Sequence, residues 1–148
     1  NREIMANIII TSMNLHPIHS FHTLHNYINT DEMILRKGAI AAHKDELVLI
    51  PLNMRDGSIL AKGKGNKDWN FSAPHGAGRI LSRSQAKETL SLDEYRKQME
   101  GIYTTSIKKS TLDEAPGAYK PIKDIIEPIA NSVDIVEKLK PIYNFKAS

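Results

Sequence analysis

The chain has 148 residues, of which 41% are hydrophobic and 25% are charged, and its net charge is +3. This length and balance fit one globular domain with a sizeable core and exclude a chain that stays disordered. No apolar run approaches the roughly 18 residues of a membrane span, so no membrane partner is expected. The absence of cysteine excludes disulfides and thiolate metal ligands and favours a reducing, cytoplasmic location. The small positive charge favours anionic partners such as nucleotides or RNA.

The N-terminal segment predicts an amphipathic helix over residues 1–13. Ile4, Ile8 and Ile9 fall on one face at helical spacing. Pro17 ends this helix, because proline lacks the backbone N–H that a helix needs and clashes with the preceding turn.

Strands are predicted for the next part of the chain. Residues 21–28 are rich in aromatic and branched side chains, which favour a strand. Residues 33–51 predict two strands that pair with each other around a turn at 43–46. The sequence RDGS at 55–58 is typical of a turn, and a further strand is predicted over 58–65.

The middle of the chain predicts one long loop followed by two helices. Residues 62–79 are dense in glycine, lysine and asparagine, and such loops lie at the surface and often carry function. Residues 82–90 predict a helix. Ser91 and Glu94 match a capping box, which opens a second helix that continues through 95–100.

The last third predicts mixed structure. A strand is expected at 101–107 and a second loop rich in glycine and proline at 110–121. Residues 122–133 predict a helix with a break near Pro128, whereas 135–145 begins ambiguously and ends extended. Together these elements predict a single α+β domain over the whole chain.

Four histidines recur at a spacing of three, at His16, His19, His22 and His25. On a strand this spacing places alternate histidines on opposite faces, and on a helix the four span about half of the circumference. Neither geometry lets all four bind one metal ion. We therefore expect the first three to be exposed residues without a ligand.

The sequence PHGAGR at 74–79 carries a more specific chemical pattern. Glycines let the backbone approach a phosphate closely, and Arg79 is suited to bidentate contact with phosphate oxygens. His75 would then lie beside a bound phosphate as a nucleophile or an acid–base group. A glycine-rich turn with an exposed histidine is the alternative at this point.

The same motif and several others resemble the RtcB family of RNA-splicing ligases. Their order along the chain is also that of the family, which makes the set more specific than any one motif. The resemblance implies the C-terminal portion of an RtcB-type protein, with the α+β fold of that family. The motifs are HNYI at 25–28, RKGA at 36–39, HGAGR at 75–79, LSR at 81–83, DEAPGAYK at 113–120 and PIYNFK at 141–146.

The resemblance implies a GTP-dependent ligase with a pair of manganese ions in the complete protein. Such ligases join an RNA 3′-phosphate or 2′,3′-cyclic phosphate end to a 5′-hydroxyl end through a histidine–GMP intermediate. The expected partners are RNA, as tRNA halves or broken ends, together with GTP and an archease-like activator. Two alternatives stay open: a non-catalytic module or repair-associated paralogue that binds RNA or nucleotide, and a metal-dependent phosphohydrolase.

The resemblance also implies roles for individual residues. His75 matches the guanylylated histidine and His25 a manganese ligand, while the other metal ligands are expected upstream of this chain. Arg79 and Arg83 match arginines that contact phosphate or RNA. The residues expected to bind the nucleotide are Asn26, Ser58, Gly76, Ala77, Gly78, Tyr119 and Lys146.

Two further features of the long loop have simple interpretations. Trp69 is expected to be a buried anchor of the loop, with stacking on a base as the alternative. Lys62, Lys64 and Lys67 are expected to be solvated, with contact to RNA phosphates as the alternative.

Overall fold

The computed structural model describes residues 1–146, which form a mixed α+β fold as predicted. The helices are α1 (Arg2–Ser12), α2 (Arg83–Thr89), α3 (Leu92–Gln98) and α4 (Lys123–Ile129). The strands are β1 (His25–Asn29), β2 (Ile34–Ala41), β3 (Leu47–Pro51), β4 (Ser58–Gly63), β5 (Ser72–Pro74) and β6 (Val133–Leu139). Short 3₁₀ helices cover Lys67–Trp69, Lys109–Glu114 and Pro116–Ala118. No helix in this range is long and apolar enough to cross a membrane.

The six strands form two antiparallel sheets, with the orders β1-β2-β5 and β3-β4-β6. In the first sheet, Pro74 at the end of β5 lies opposite Ala39 of β2. This register brings the residue that follows β5, His75, to Gly38 on the neighbouring strand. The position of the candidate nucleophile is therefore set by strand pairing.

The main core lies where the two sheets and α4 meet. Successive side chains alternate between the faces of a strand, so Ile40 and Ala42 bury the same face of the first sheet. Full burial of an isoleucine side chain contributes about 2 kcal/mol to the free energy of folding. The second sheet adds Val48, Ile50, Ile59 and Ala61, and α4 adds Ile125 and Ile129. A second cluster joins Met54, Tyr95, Met99, Leu112 and Ala115.

Gly63, at the end of β4, makes a close crossing of the two sheets possible. A Cβ atom there would lie 2.2 Å from the carbonyl oxygen of His43, a distance that backbone atoms cannot tolerate. Its N–H donates to the carbonyl of Glu46 at 2.8 Å. Only glycine allows this approach of the two chain segments.

Several predicted elements are confirmed with small changes of boundary. The N-terminal helix, the helix predicted over 82–90 and the turn before β4 are present. The capping box is formed as expected, since Glu94 N donates to Ser91 Oγ and Ser91 N to the Glu94 carboxylate, both at 3.1 Å. The predicted helix over 122–133 ends earlier, at Ile129, and Val133 already starts β6.

The predicted pairing of two strands within 33–51 is wrong, although both strands exist. The turn at 43–46 forms, but Asp45 N donates to the carbonyl of Gly63 rather than continuing a hairpin. The strand β3 instead pairs with β4 and β2 pairs with β1 and β5, so the two belong to different sheets. The connection from β3 to β4 is tight, with Leu52 N bonded to Gly57 O at 2.8 Å.

Two predicted strands are wholly or partly absent from the described residues. Residues 21–24 are irregular, and β1 begins only at His25. The segment 101–107 forms just one isolated bridge, from Thr104 to Asn144. Gly101 at φ +80° turns the chain there, and side chains satisfy the backbone in place of a ladder, as where Ser106 N donates to Thr104 Oγ1.

The long loop predicted over 62–79 contains one strand, β5, and an exposed tryptophan. Trp69 is 53% exposed, so the expectation that it is a buried anchor is wrong. Lys64 forms an ion pair with Asp134 at 3.1 Å and donates to Ala130 O at 2.6 Å. This lysine therefore has a structural role in the loop.

Candidate functional site

A cleft of about 840 Å³ opens where strands of both sheets end, and it holds most of the predicted site residues. This volume is in the range of small-molecule binding sites. Its floor includes the buried side chains of Leu52 and Met54. The first sheet contributes His25 and the second contributes Ser58, while the loop after β5 contributes His75.

The imidazole of His75 is held by a backbone carbonyl. Its Nδ1 lies 2.7 Å from the carbonyl oxygen of Gly38. A carbonyl oxygen only accepts hydrogen bonds, so Nδ1 carries the proton. In the neutral ring, the lone pair is then on Nε2. The side chain is exposed to the cleft, so this nitrogen is available to a ligand.

A second imidazole lies parallel to the first. The rings of His25 and His75 stack with centroids 5.1 Å apart and an interplanar angle of 13°. His25 begins β1, directly before Asn26, where the register of β1 against β2 shifts. The stacking places His25 beside the candidate nucleophile.

The glycine-rich loop after His75 packs on the end of β3. Ala77 is buried and its N–H donates to the carbonyl of Pro51 at 2.9 Å. Gly78 has φ +72°, which favours glycine. Among residues 1–146, no hydrogen bond engages the N–H groups of Gly76 and Gly78. Two backbone donors at the cleft are thus available to an anion.

Arg79 is committed largely to other parts of the protein. Its guanidinium carbon lies 4.8 Å from the ring centre of Tyr119, and its Nη1 donates to the Tyr119 hydroxyl at 3.1 Å. Nη2 donates to the carbonyl of Asp113, and Nε donates to that of Leu81 at 3.1 Å. The arginine therefore fixes the wall of the cleft.

Glu114 joins two cleft residues that are distant in sequence. The Tyr119 hydroxyl donates to Glu114 Oε2 at 2.9 Å, and Lys146 Nζ lies 3.0 Å from the same oxygen. Burial raises the pKa of Tyr119 to about 12, and the hydrogen bond to the Glu114 carboxylate adds to the effect. The phenol therefore stays protonated at neutral pH and donates to the carboxylate.

Residues 1–147 match the family model of the tRNA-splicing ligase RtcB. The chain belongs to the RtcB family. The RNA-splicing ligase RtcB of Escherichia coli K12 is 29% identical over 126 residues, which cover 80% of this chain. The tRNA-splicing ligases RtcB of Aeropyrum pernix and Thermococcus kodakarensis are 39% and 32% identical, over 64% and 74% of the chain.

The chain spans a minor part of the length of these RtcB relatives. The matched segment covers 30% of the Escherichia coli protein, 21% of the Aeropyrum pernix protein and 27% of the Thermococcus kodakarensis protein. Family membership and the α+β fold are confirmed for this chain, whereas the activity of the longer relatives is a proposal for it.

The cleft of this RtcB chain brings together residues from six separate segments. They are β1, β4, the loop after β5, the start of α2, the segment around Tyr119 and the C-terminal tail. The predicted site residues that line the cleft are His25, Ser58, His75, Gly76, Ala77, Gly78, Arg79, Arg83, Tyr119 and Lys146.

Asn26 is the predicted nucleotide-binding residue that does not line the cleft. Its Oδ1 accepts a hydrogen bond from Gly38 N at 2.7 Å. The side chain thus faces the backbone of β2. A nucleotide-binding role for Asn26 stays a prediction.

The two predicted phosphate-binding arginines differ in availability. Arg79 is 24% exposed at its side chain and makes the contacts described above, whereas Arg83 is 79% exposed. The nearest acidic partner of Arg83, the carboxylate of Asp113, is 3.9 Å away. Arg83 is therefore the better placed of the two to contact an incoming phosphate.

The other three histidines of the ladder do not contribute to this site. His16, His19 and His22 are exposed and lie outside the cleft lining. In the part of the chain that the structure describes, no group of three His, Cys, Asp or Glu side chains is arranged to hold a metal ion. A metal centred on His25 would need ligands from elsewhere.

Gly38 and Glu114 were not predicted as site residues. Both lie within motifs quoted for the resemblance, RKGA and DEAPGAYK. Their contacts join residues 37 and 32 positions apart, from Gly38 to His75 and from Glu114 to Lys146. Spacing along the chain carries no signal for such contacts, because they depend on strand register and on the path of the C-terminal tail.

Proposed function

We propose that this chain carries the nucleotidyl-transfer site of an RNA ligase that uses GTP and joins a 3′-phosphate or 2′,3′-cyclic phosphate end to a 5′-hydroxyl end. The names of the relatives, RNA-splicing or tRNA-splicing ligase, support the RNA substrate. The observation that carries the proposal is the hydrogen bond from His75 Nδ1 to Gly38 O. In the neutral ring it leaves the lone pair on Nε2, at the cleft.

The proposed first step is attack of His75 Nε2 on the α-phosphorus of GTP. A P–N bond forms, the bond to the bridging oxygen breaks, and pyrophosphate leaves. The ring becomes positively charged as this bond forms, with the Nδ1 proton still directed at the Gly38 carbonyl. That oxygen stabilises the developing charge, because hydrogen bonds from a charged donor are roughly twice as strong as neutral ones.

In the later steps the guanylyl group moves to RNA and is released. An oxygen of the RNA 3′-phosphate displaces the imidazole from GMP, which restores His75. The 5′-hydroxyl oxygen then attacks the activated 3′-phosphorus, loses its proton to solvent or a base, and displaces GMP. A 2′,3′-cyclic end must first take up water to become a 3′-phosphate.

The surroundings of His75 support nucleotide binding. The free N–H groups of Gly76 and Gly78 and the exposed side chain of Arg83 offer contacts to phosphate oxygens. Tyr119 and Lys146 also line the cleft and add an aromatic ring and a charged donor, groups of the kind that bind a purine base. Ser58 adds a hydroxyl at the start of β4.

The manganese expected from the resemblance does not fit residues 1–146 alone. His25 offers one imidazole, and among the described residues no group of three suitable side chains is arranged to hold a metal ion. Manganese sites combine several nitrogen and oxygen ligands. Further ligands would have to come from outside the described residues, and the isolated chain is expected not to seal RNA ends.

The proposal is tested by incubation of the protein with GTP labelled at the α-phosphate, in the presence of manganese. An acid-labile GMP adduct is expected on a protein that contains the missing metal ligands and not on its His75→Ala variant. The matched control is His22→Ala, because this histidine is exposed and outside the cleft. An adduct on His75→Ala, or none on a protein that contains the missing ligands, would contradict the proposal.

The second candidate is a module that binds RNA or nucleotide without transferring it, and the cleft with its two free backbone N–H donors supports such binding. In that case GMP binds the cleft and His75→Ala changes its affinity only slightly. An adduct that depends on His75 separates transfer from binding.

A further inference from the structure

Both backbone polar groups of Gly38, its N–H and its carbonyl, form hydrogen bonds with side chains. Gly38 N donates to Asn26 Oδ1 at 2.7 Å, and Gly38 O accepts from His75 Nδ1 at 2.7 Å. The backbone N–H of His75 also points to this carbonyl, at 3.4 Å. One residue of β2 thus connects the side chain of Asn26 with the ring of His75.

The backbone at both ends of this connection adopts a left-handed conformation. Asn26 has φ +59° and Gly38 has φ +69°. Asparagine and glycine are the residues that enter this region most readily. At the register shift between His25 and Tyr27, residues 37–39 of β2 lie opposite Asn26 alone, and the Asn26 side chain faces Gly38, the middle residue of the three. The local geometry therefore serves the contact with Gly38.

We propose that Asn26 is a positioning residue for the nucleophile: it fixes Gly38, and the Gly38 carbonyl fixes the tautomer and orientation of His75. This inference rests on the proposed function for its catalytic meaning, but the hydrogen bonds stand independently of it. Because Oδ1 is engaged by Gly38, only the Nδ2 group of Asn26 is left for a ligand.

The choice of substitution separates hydrogen bonding from backbone strain. Asn26→Gly removes the acceptor and adopts φ +59° without strain. Asn26→Asp keeps an acceptor oxygen and a residue tolerated in this conformation. The control Asn14→Gly makes the same change at φ +50° in the turn after α1, away from the cleft.

The direct readout is the tautomer of His75, measured by NMR correlation of ring protons with ring nitrogens in the 148-residue chain. Asn26→Gly is expected to shift the ratio of the Nδ1–H to the Nε2–H form by about three- to tenfold, the size of one hydrogen bond. Asn26→Asp and Asn14→Gly should keep the native ratio. An unchanged ratio in Asn26→Gly with a native backbone spectrum would overturn the proposal.

Kinetics of adduct formation give a second readout that distinguishes this proposal from a nucleotide-binding role. A positioning residue predicts a kcat about tenfold lower in Asn26→Gly with KM for GTP unchanged, and rescue by Asn26→Asp. A raised KM with native kcat and tautomer would assign Asn26 to the nucleotide instead. If a protein that contains the missing metal ligands forms no adduct, the proposed function fails, while the tautomer measurement still tests the contact.

Discussion

Replacing Glu114 by glutamine tests whether one carboxylate organises the part of the cleft where the guanine base is proposed to lie. In the native protein, Glu114 Oε2 accepts a hydrogen bond from the Tyr119 hydroxyl at 2.9 Å and lies 3.0 Å from Lys146 Nζ. The glutamine carbonyl can still accept from the phenol, but it carries no charge to hold the lysine. The side chain of Lys146 is 38% exposed, so the ammonium group regains water when it is released.

The cost to stability is therefore expected to be small. A partly exposed ion pair contributes up to about 1 kcal/mol, and the retained hydrogen bond keeps most of the remaining interaction. The expected loss in free energy of unfolding is about 1 kcal/mol. The Glu100→Gln variant, which neutralises an exposed carboxylate outside the cleft, is the matched control and should cost less.

The larger effect is expected on Tyr119. Its pKa, raised to about 12 by burial and then by Glu114, should fall toward the ordinary value of 10.0 in Glu114→Gln. Because the folded state holds the proton more tightly than the unfolded state, native stability falls as pH rises from about 10 to about 12. The variant should lose less stability in that window.

The assays are ultraviolet titration of the phenolate, chemical unfolding at several pH values and calorimetric titration with GMP. Release of Lys146 is expected to weaken GMP binding about three- to tenfold, the size of one lost hydrogen bond. If Tyr119 titrates as in the native protein and GMP binds equally well, Glu114 does not organise this part of the cleft.

Three further predictions concern the stability of the fold that carries the site. Arg36→Lys should lower the free energy of unfolding by about 3 kcal/mol, because lysine cannot make all the hydrogen bonds that this arginine, 2% exposed, donates to Ser72, Tyr27 and Asn70. A loss below about 1 kcal/mol in chemical unfolding would contradict this. Gly38→Ala should cost about 1–2 kcal/mol through strain at φ +69°, and an unchanged melting temperature would refute it. The hydrogen bond to Glu46 raises the pKa of His43 against the effect of burial, and Glu32 raises it further. The contribution of His43 to the free energy of unfolding is therefore complete below pH 6.5 and is lost as the pH rises through the raised pKa. The stability difference from His43→Gln should therefore shrink with rising pH; a constant difference would exclude this role.

Local signals predicted the elements that depend on local interactions. The capping box at Ser91 and the helix before it form because caps and periodicity act within one or two turns. The partner of a strand is not a local property. The pairing of β2 with β5 brings together residues 39–41 and 72–74, and a glycine-rich loop gave no sign of it.

The same distinction applies to the site. Motifs located His75 and Tyr119, and the structure places both in one cleft. They did not reveal that Gly38 holds the ring of His75 or that Arg79 is committed to other acceptors. These contacts arise from strand register and from a backbone with positive φ, which the order of residue types does not specify.

The proposed nucleotidyl transfer is tested most directly by locating the phosphorus on the protein after reaction with GTP. Peptide mapping of the adduct, followed by NMR of its imidazole nitrogens, identifies both the residue and the bonded atom. We expect phosphorus on Nε2 of His75, with the Nδ1 proton retained toward Gly38. Phosphorus on Nδ1, or on a residue other than His75, would contradict it.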